Sequence, residues 1–144
     1  MHCANNLTVR KTLTVPKNLS ALLPWLPPLL TLLLVLAMHV DAPYHDQWDL
    51  LPLLHAHYEG TLQWRDLLQP HNGHILFLPK LVMLSLAVAT QWNTLAEVLF
   101  SFACMLLNWL LLQQLARVLL QRALSTIEST ALSLLVFSLA QAQN

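Results

Sequence analysis

Acidic and imidazole side chains concentrate in one segment of this chain, between His39 and His74. The segment holds six of the seven histidines and five of the seven acidic residues. Carboxylates and imidazoles are the groups that proteins use to move protons, bind metals and contact phosphates. Any chemistry that the chain performs is therefore predicted to depend on this segment.

The first candidate group is the pair Asp46 and Asp49, in the run Tyr-His-Asp-Gln-Trp-Asp that ends at Asp49. A carboxylate close to a membrane surface is partly desolvated and can act as a general base. Two structural roles stay open beside this one. Asp49 can cap a short helix, and Asp46 can be a solvated loop residue.

The second candidate group is the turn His71-Asn72-Gly73-His74. Its two imidazoles can donate to phosphate oxygens or bind a metal. Zinc needs three or four protein ligands, and the sequence does not place the others, so we predict no metal site and regard hydrogen-bonded loop histidines as the default. A periplasmic metal-binding protein that uses the histidine cluster remains an alternative.

The composition decides what kind of protein positions these groups. The chain has 144 residues, of which 56% are hydrophobic and 10% charged, with a mean hydropathy of +0.55. This is more apolar surface than a small soluble core can enclose. The formal net charge is zero, which argues against a nucleic-acid partner. Two cysteines do not make a disulfide scaffold. We expect an all-α integral membrane protein whose environment is the lipid bilayer.

The first membrane span is predicted at residues 20–40, which contain no Lys, Arg, Asp or Glu. Arg10, Lys11 and Lys17 lie in the tail 1–19 that precedes it. The positive-inside rule then puts the N-terminus in the cytoplasm. A cleavable signal peptide is the competing interpretation of the same stretch.

Two later apolar runs begin with capping-box patterns, Thr94 with Glu97 and Ser125 with Glu128. They predict spans at 94–116 and 125–144, with a cytoplasmic turn at 117–124. The third span is incomplete at 144, so we expect a truncated chain. In both boxes the glutamate is interpreted as a helix-start partner and not as a catalytic group.

Residues 75–90 are apolar but carry Pro79 and Lys80 near their start. If they crossed the bilayer, Arg117 and Arg122 would fall outside, against the charge rule. We therefore favour a short helix along the membrane surface, although a span stays open. The extracytoplasmic loop is then 41–93, with short juxtamembrane helices, and about three transmembrane helices result.

The order of these features resembles the N-terminal part of bacterial multi-pass proteins with a GT-C glycosyltransferase-like architecture. The motifs that carry this resemblance follow the first span. In chain order they are Pro43 to Asp49, Tyr58 to Gly60, Asp66-Leu67, His71 to His74, Phe77 to Lys80 and Gln91 to Asn93. Two positions depart from the family pattern, since Gly73 and Ile75 stand where relatives carry Glu and Arg.

The resemblance implies sugar transfer from a polyprenyl-phosphate carrier to an extracytoplasmic acceptor, without a cofactor or divalent metal. By position, the catalytic carboxylate would be Asp46, with Asp49 as second choice. The carrier phosphate would be bound by His71, His74 and Lys80. The resemblance also implies that the chain by itself would be inactive, since GT-C enzymes need further spans.

A different class of function is a small non-enzymatic membrane protein. Its outer loop would bind a partner, and its spans would join a partner subunit through Asn108, Gln113 and Gln114.

Overall fold

The computed structural model describes residues 20–43, 45–70 and 73–138, except for the side chains of His45 and Asp46. Within these ranges the chain forms helices and no strands. Two 3-10 turns, Leu23–Trp25 and His45–Leu50, each lead into an α-helix. The α-helices are α1 (Leu26–Met38), α2 (Leu51–Tyr58), α3 (Trp64–Leu67), α4 (Phe77–Thr90), α5 (Thr94–Leu120) and α6 (Thr126–Val136). The predicted all-α class is confirmed.

Helix α5 is long and apolar enough to cross a membrane, and no other helix in the described ranges is. Its 27 residues extend about 40 Å at 1.5 Å per residue, and its most apolar window has a mean hydropathy of 2.0. The Asn93 side chain caps its first turn, and Gln121 ends it in the left-handed conformation. The helix runs four residues beyond the predicted end at 116.

The other two predicted spans correspond to shorter helices. Helix α1 begins at Leu26, after the 3-10 turn that contains Pro24, and ends at Met38, so it is shorter than the predicted 20–40. Helix α6 has 11 residues up to Val136, and residues 139–144 of the predicted third span lie outside the described part. Helix α4 covers Phe77–Thr90, which confirms that most of 75–90 is helical.

Helices α1, α5 and α6 pack in alternating directions. His39, at the end of α1, bonds Thr94 at the start of α5, whereas Trp25, before α1, contacts Trp109 far along α5. Helix α1 is therefore antiparallel to α5. Similarly, Ser129, in the first half of α6, bonds Gln113 near the end of α5, so α6 is also antiparallel to α5.

Trp109 is the centre of this three-helix packing, with 1% of its surface exposed. Its ring lies 4.9 Å from that of Trp25 and 6.2 Å from that of Phe137, both edge-on. Such aromatic pairs add about 0.5–1.5 kcal/mol each to the burial of the rings. One α5 side chain thus holds the start of α1 and the end of α6 together.

A second apolar core joins the loop helices to α4. It contains buried residues from the turn before α2 and from α2, α3 and α4: Leu50, Leu53, Leu54, Leu67, Leu84 and Ala87. Helix α4 packs against α2, α3, α5 and the turn His45–Leu50. The predicted outer loop is therefore a folded layer that packs against the bundle at the start of α5.

Candidate functional site at the start of α5

A polar cluster lies where α1 ends and α5 begins. Its centre is Thr94, which is 3% exposed. The Thr94 hydroxyl donates to Asp41 Oδ1 at 2.9 Å, and the Thr94 amide donates to the same oxygen at 3.3 Å. His39 Nε2 lies 3.0 Å from the hydroxyl oxygen and donates to it, since the hydroxyl proton is directed at Asp41.

This arrangement is not that of a catalytic triad. In a triad the imidazole lies between the hydroxyl and the carboxylate, so that the carboxylate orients the base. Here the hydroxyl of Thr94 lies between His39 and Asp41. The cluster can therefore fasten the end of α1 to the first turn of α5, but it does not activate Thr94 as a nucleophile.

Asp41 is exposed, and its contacts favour the ionised form. The hydrogen bond from the Thr94 hydroxyl, followed by the one from the Thr94 amide, lowers the pKa of the Asp41 carboxyl below its usual 3.8. Asp41 thus carries a negative charge at this end of the bundle at neutral pH. Its amide contact also places that charge at the N-terminus of α5, where a helix favours anions.

Glu97 is the buried acidic residue of the site, with 5% of its surface exposed. Its Oε2 accepts a hydrogen bond from Gln47 Nε2 at 2.8 Å. Its Oε1 is buried and has no hydrogen-bond partner among the residues that the structure describes. The carboxyl group therefore joins two segments that are 50 residues apart in the chain.

The predicted capping box of Thr94 and Glu97 is wrong. The N-cap is Asn93, whose Oδ1 accepts from the Ala96 amide at 3.3 Å. Thr94 and Glu97 instead bond tertiary partners, Asp41 and Gln47. Asp41 accepts from the Thr94 amide, as the Glu97 carboxylate would have done in the box. The interpretation of Glu97 as a helix-start partner therefore fails as well.

The proposed base Asp46 belongs to the 3-10 turn His45–Leu50, which we call the acidic turn, but its side chain lies outside the described part. Asp49 is exposed on the same turn. It does not cap α2, because the N-cap position is Leu50, where no side-chain cap forms. The cap interpretation of Asp49 is thus wrong, since the turn continues into the helix without a break.

Three contacts hold the acidic turn in place. Gln47 bonds Glu97 at 2.8 Å, and the Trp48 ring lies 6.2 Å from that of Trp92, just before α5. Leu50 is buried in the core shared with α4. The backbone that carries both predicted carboxylates is therefore fixed next to the first turn of α5.

In the described ranges, no hydrogen bond or ion pair joins the predicted phosphate-binding residues His74 and Lys80 to this site. His71 lies outside the described residues, and His74 is exposed. Lys80 donates from Nζ to the Gln69 backbone oxygen at 2.7 Å, directly before the His71–His74 turn. Lys80 lies in the first turn of α4, whereas the acidic turn contacts Trp92, beyond the other end of the same helix. Among the described residues no group of three or more His, Cys, Asp or Glu side chains could hold a metal.

Basic residues lie at the opposite end of the bundle. Arg122 forms two hydrogen bonds with Glu128, at 2.8 and 2.6 Å. Glu128 also closes the capping box with Ser125, which confirms that prediction. Arg117 lies on the last turns of α5. The acidic and basic ends are therefore separated by the length of α5.

No protein-family model, curated protein or solved structure matches this chain.

Proposed function

We propose that the acidic end of this chain is the sugar-transfer side of a GT-C-like membrane glycosyltransferase. The observation that carries the proposal is the fixation of the acidic turn beside the first turn of α5 by the Gln47–Glu97 hydrogen bond. A loop carboxylate can serve as a base only if its backbone is held against the place where the substrate enters.

The proposal places the bundle in a bacterial inner membrane, with the N-terminus in the cytoplasm. The length and hydropathy of α5 support this. Large apolar side chains on α1 and α5 are also exposed, including Leu29, Leu33, Leu107, Leu111 and Leu119. The arginines at the opposite end fit the cytoplasmic side, so the acidic turn would face outward.

The proposed reaction transfers a sugar from a polyprenyl phosphate to an acceptor hydroxyl with inversion. The Asp46 carboxylate, or Asp49 in its place, takes the acceptor proton as the acceptor oxygen forms its bond to sugar C1. The bond between C1 and the carrier phosphate oxygen breaks, and its electron pair remains on the phosphate. His71, His74 and Lys80 would stabilise that charge. The step needs neither a redox partner nor a metal.

Lys80 has a defined place in this proposal. Its ammonium group is bonded to Gln69 O, so it stabilises the chain that leads into the His71–His74 turn. It has two further protons with which to contact a phosphate. A role that combines turn positioning and phosphate binding is therefore compatible with its geometry.

The test is an Asp46→Asn substitution at the native locus, with sugar transfer measured in isolated membranes from labelled polyprenyl-phosphate donors. We expect a loss of 100-fold or more, since general-base catalysis contributes about 10²–10⁴ in rate. Glu59→Gln is the matched control, because Glu59 is exposed and bonds only His55 among the described residues, at 3.2 Å. Equal transfer by the Asp46→Asn protein and the control would contradict the assignment.

A second function is favoured by one observation on α5. Asn108 and Gln114 are exposed amides on a mainly apolar helix, as expected of a span that joins a partner subunit. Gln113, the third residue predicted for this role, is instead buried and bonds Ser129 within the chain. If the chain is a non-enzymatic partner-binding protein, the double variant Asn108→Leu, Gln114→Leu should lose a membrane subunit that co-purifies with wild type. Asp46→Asn should not change the amount of that subunit.

A further inference from the structure

A cavity of about 310 Å³ opens at the basic end of the bundle, away from the proposed sugar-transfer side. It lies between the first 3-10 turn, the last turns of α5 and the start of α6. Trp109, Gln113 and Arg117 line it from α5, where they follow each other at intervals of four and so share one face of the helix. Its volume is in the range of ligand-binding pockets.

Arg117 is a cation without a protein partner at this cavity. It makes no hydrogen bond or ion pair with any residue that the structure describes, whereas its neighbour Arg122 is paired with Glu128 at 2.6 Å. No acidic side chain lines the cavity in the described ranges. Within the described ranges, no acidic group therefore compensates the positive charge at the cavity.

Gln113 adds a hydrogen-bond donor to the same face. Its Oε1 accepts from the Ser129 hydroxyl at 2.8 Å, which fixes the orientation of the amide. The acceptor of the side chain is thus used within the chain, and its two N–H groups remain for other partners. Together with the Arg117 guanidinium, the Gln113 amide presents donors on the α5 side of the cavity, which favours a bound group that supplies acceptors and negative charge.

The rest of the lining combines apolar and aromatic residues with hydroxyl residues at the start of α6: Pro24, Trp25, Trp109, Leu110 and Leu124 on one side, and Ser125, Thr126 and Ser129 on the other. A ligand that suits both parts carries an anionic group beside an apolar one. Arg117 follows Thr94 by 23 positions, or about 35 Å along the helix, while a hydrocarbon core is about 30 Å thick. If α5 spans the bilayer, the cavity lies at headgroup depth in the leaflet opposite the acidic turn.

We propose that this cavity binds the headgroup of an anionic glycerophospholipid. Arg117 and the Gln113 amide bind the phosphate, and the exposed part of the Trp25 ring contacts the glycerol and the first acyl carbons. This role does not depend on sugar transfer, because the cavity is at the other end of α5. It would anchor the junction of α5 and α6 to one leaflet.

The test is native mass spectrometry of the full chain in detergent with phosphatidylglycerol or phosphatidylcholine. We expect wild type to retain phosphatidylglycerol at least tenfold better, and Arg117→Gln to lose that preference, as a charge-assisted hydrogen bond is removed. Arg65→Gln is the matched control. Arg65 is exposed in the loop layer, 5.7 Å from the Trp64 ring, so its loss should leave retention unchanged.

A second variant tests the cavity without changing charge. Ala21 also lines it, so Ala21→Trp should fill the space and abolish retention while the circular dichroism spectrum stays that of wild type. Inorganic phosphate at millimolar concentration should not displace the lipid. Displacement by phosphate would show a soluble-anion site and overturn the lipid assignment. Equal retention of both lipids, or equal loss in the Arg117 and Arg65 variants, would overturn the site itself.

Discussion

Substitution of Gln47 and substitution of Glu97, the two partners of one hydrogen bond, are expected to change the free energy of unfolding by different amounts. Gln47→Leu leaves the Glu97 carboxyl buried with no partner in the described structure, because its Oε1 already lacks one. Glu97→Leu instead removes the buried polar group and leaves Gln47, which is half-buried and can reach water. Only Gln47→Leu therefore leaves a buried polar group without a partner, and only this variant should be strongly destabilised.

The magnitudes follow from burial. An unpaired buried polar group costs about 1–3 kcal/mol, so we expect Gln47→Leu to lower the free energy of unfolding by about 2 kcal/mol. Glu97→Leu loses an acidic side chain near a helix N-terminus, about 0.3–1 kcal/mol, and gains apolar burial. It should remain within about 1 kcal/mol of wild type. The double variant should match Glu97→Leu and not the sum of the two.

The assay is unfolding of the purified chain in detergent, followed by circular dichroism at several denaturant concentrations. Gln114→Leu is the matched control, since Gln114 is exposed on the same helix as Glu97 and should change little. If Gln47→Leu is as stable as this control, or if the double variant is less stable than Gln47→Leu, the turn is not held by this bond.

Three further perturbations test other parts of the fold. The pKa of Asp41 is lowered in the folded chain, so its contribution to stability is present above about pH 4 and is lost as pH falls further. Wild type should therefore lose stability below about pH 4, and Asp41→Asn should lose less, as measured by detergent unfolding at each pH. Trp109→Ala should lower the free energy of unfolding in detergent by about 3–5 kcal/mol, whereas Trp64→Ala, at an exposed position, should lower it by less than about 0.5 kcal/mol. Equal losses would contradict the central role of Trp109 in the packing. Ser129→Ala removes the donor to Gln113 and should cost about 1 kcal/mol, whereas no change would show that the bond is not formed.

Local signals in the sequence predicted where the helices Thr94–Leu120 and Thr126–Val136 begin, but not where the other helices begin and end. Ser125 and Glu128 form the predicted capping box, because both partners lie within one turn and Arg122 reinforces the glutamate. The start of the long helix was also predicted to within one residue. These features depend on contacts between residues close in the chain, which a single sequence shows directly.

The contacts of the site could not be predicted in the same way. Thr94 and Glu97 match the capping-box pattern as well as Ser125 and Glu128 do, yet Asp41 and Gln47, about 50 positions away, take them over. Asp41 was missed as a site residue for the same reason. One signal was present: Glu97 is an acidic residue inside an apolar helix, and such a group needs a partner.

The central claim is that the acidic turn faces the outside of the membrane at the depth of the lipid headgroups. It is tested by labelling Asp46→Cys, in a chain with Cys3→Ser and Cys104→Ser, with a membrane-impermeant maleimide on intact spheroplasts. Leu119→Cys, exposed at the basic end, is the opposite-side reporter. We predict that position 46 reacts in intact spheroplasts and position 119 only after permeabilisation. Labelling of position 46 only after permeabilisation would contradict the account.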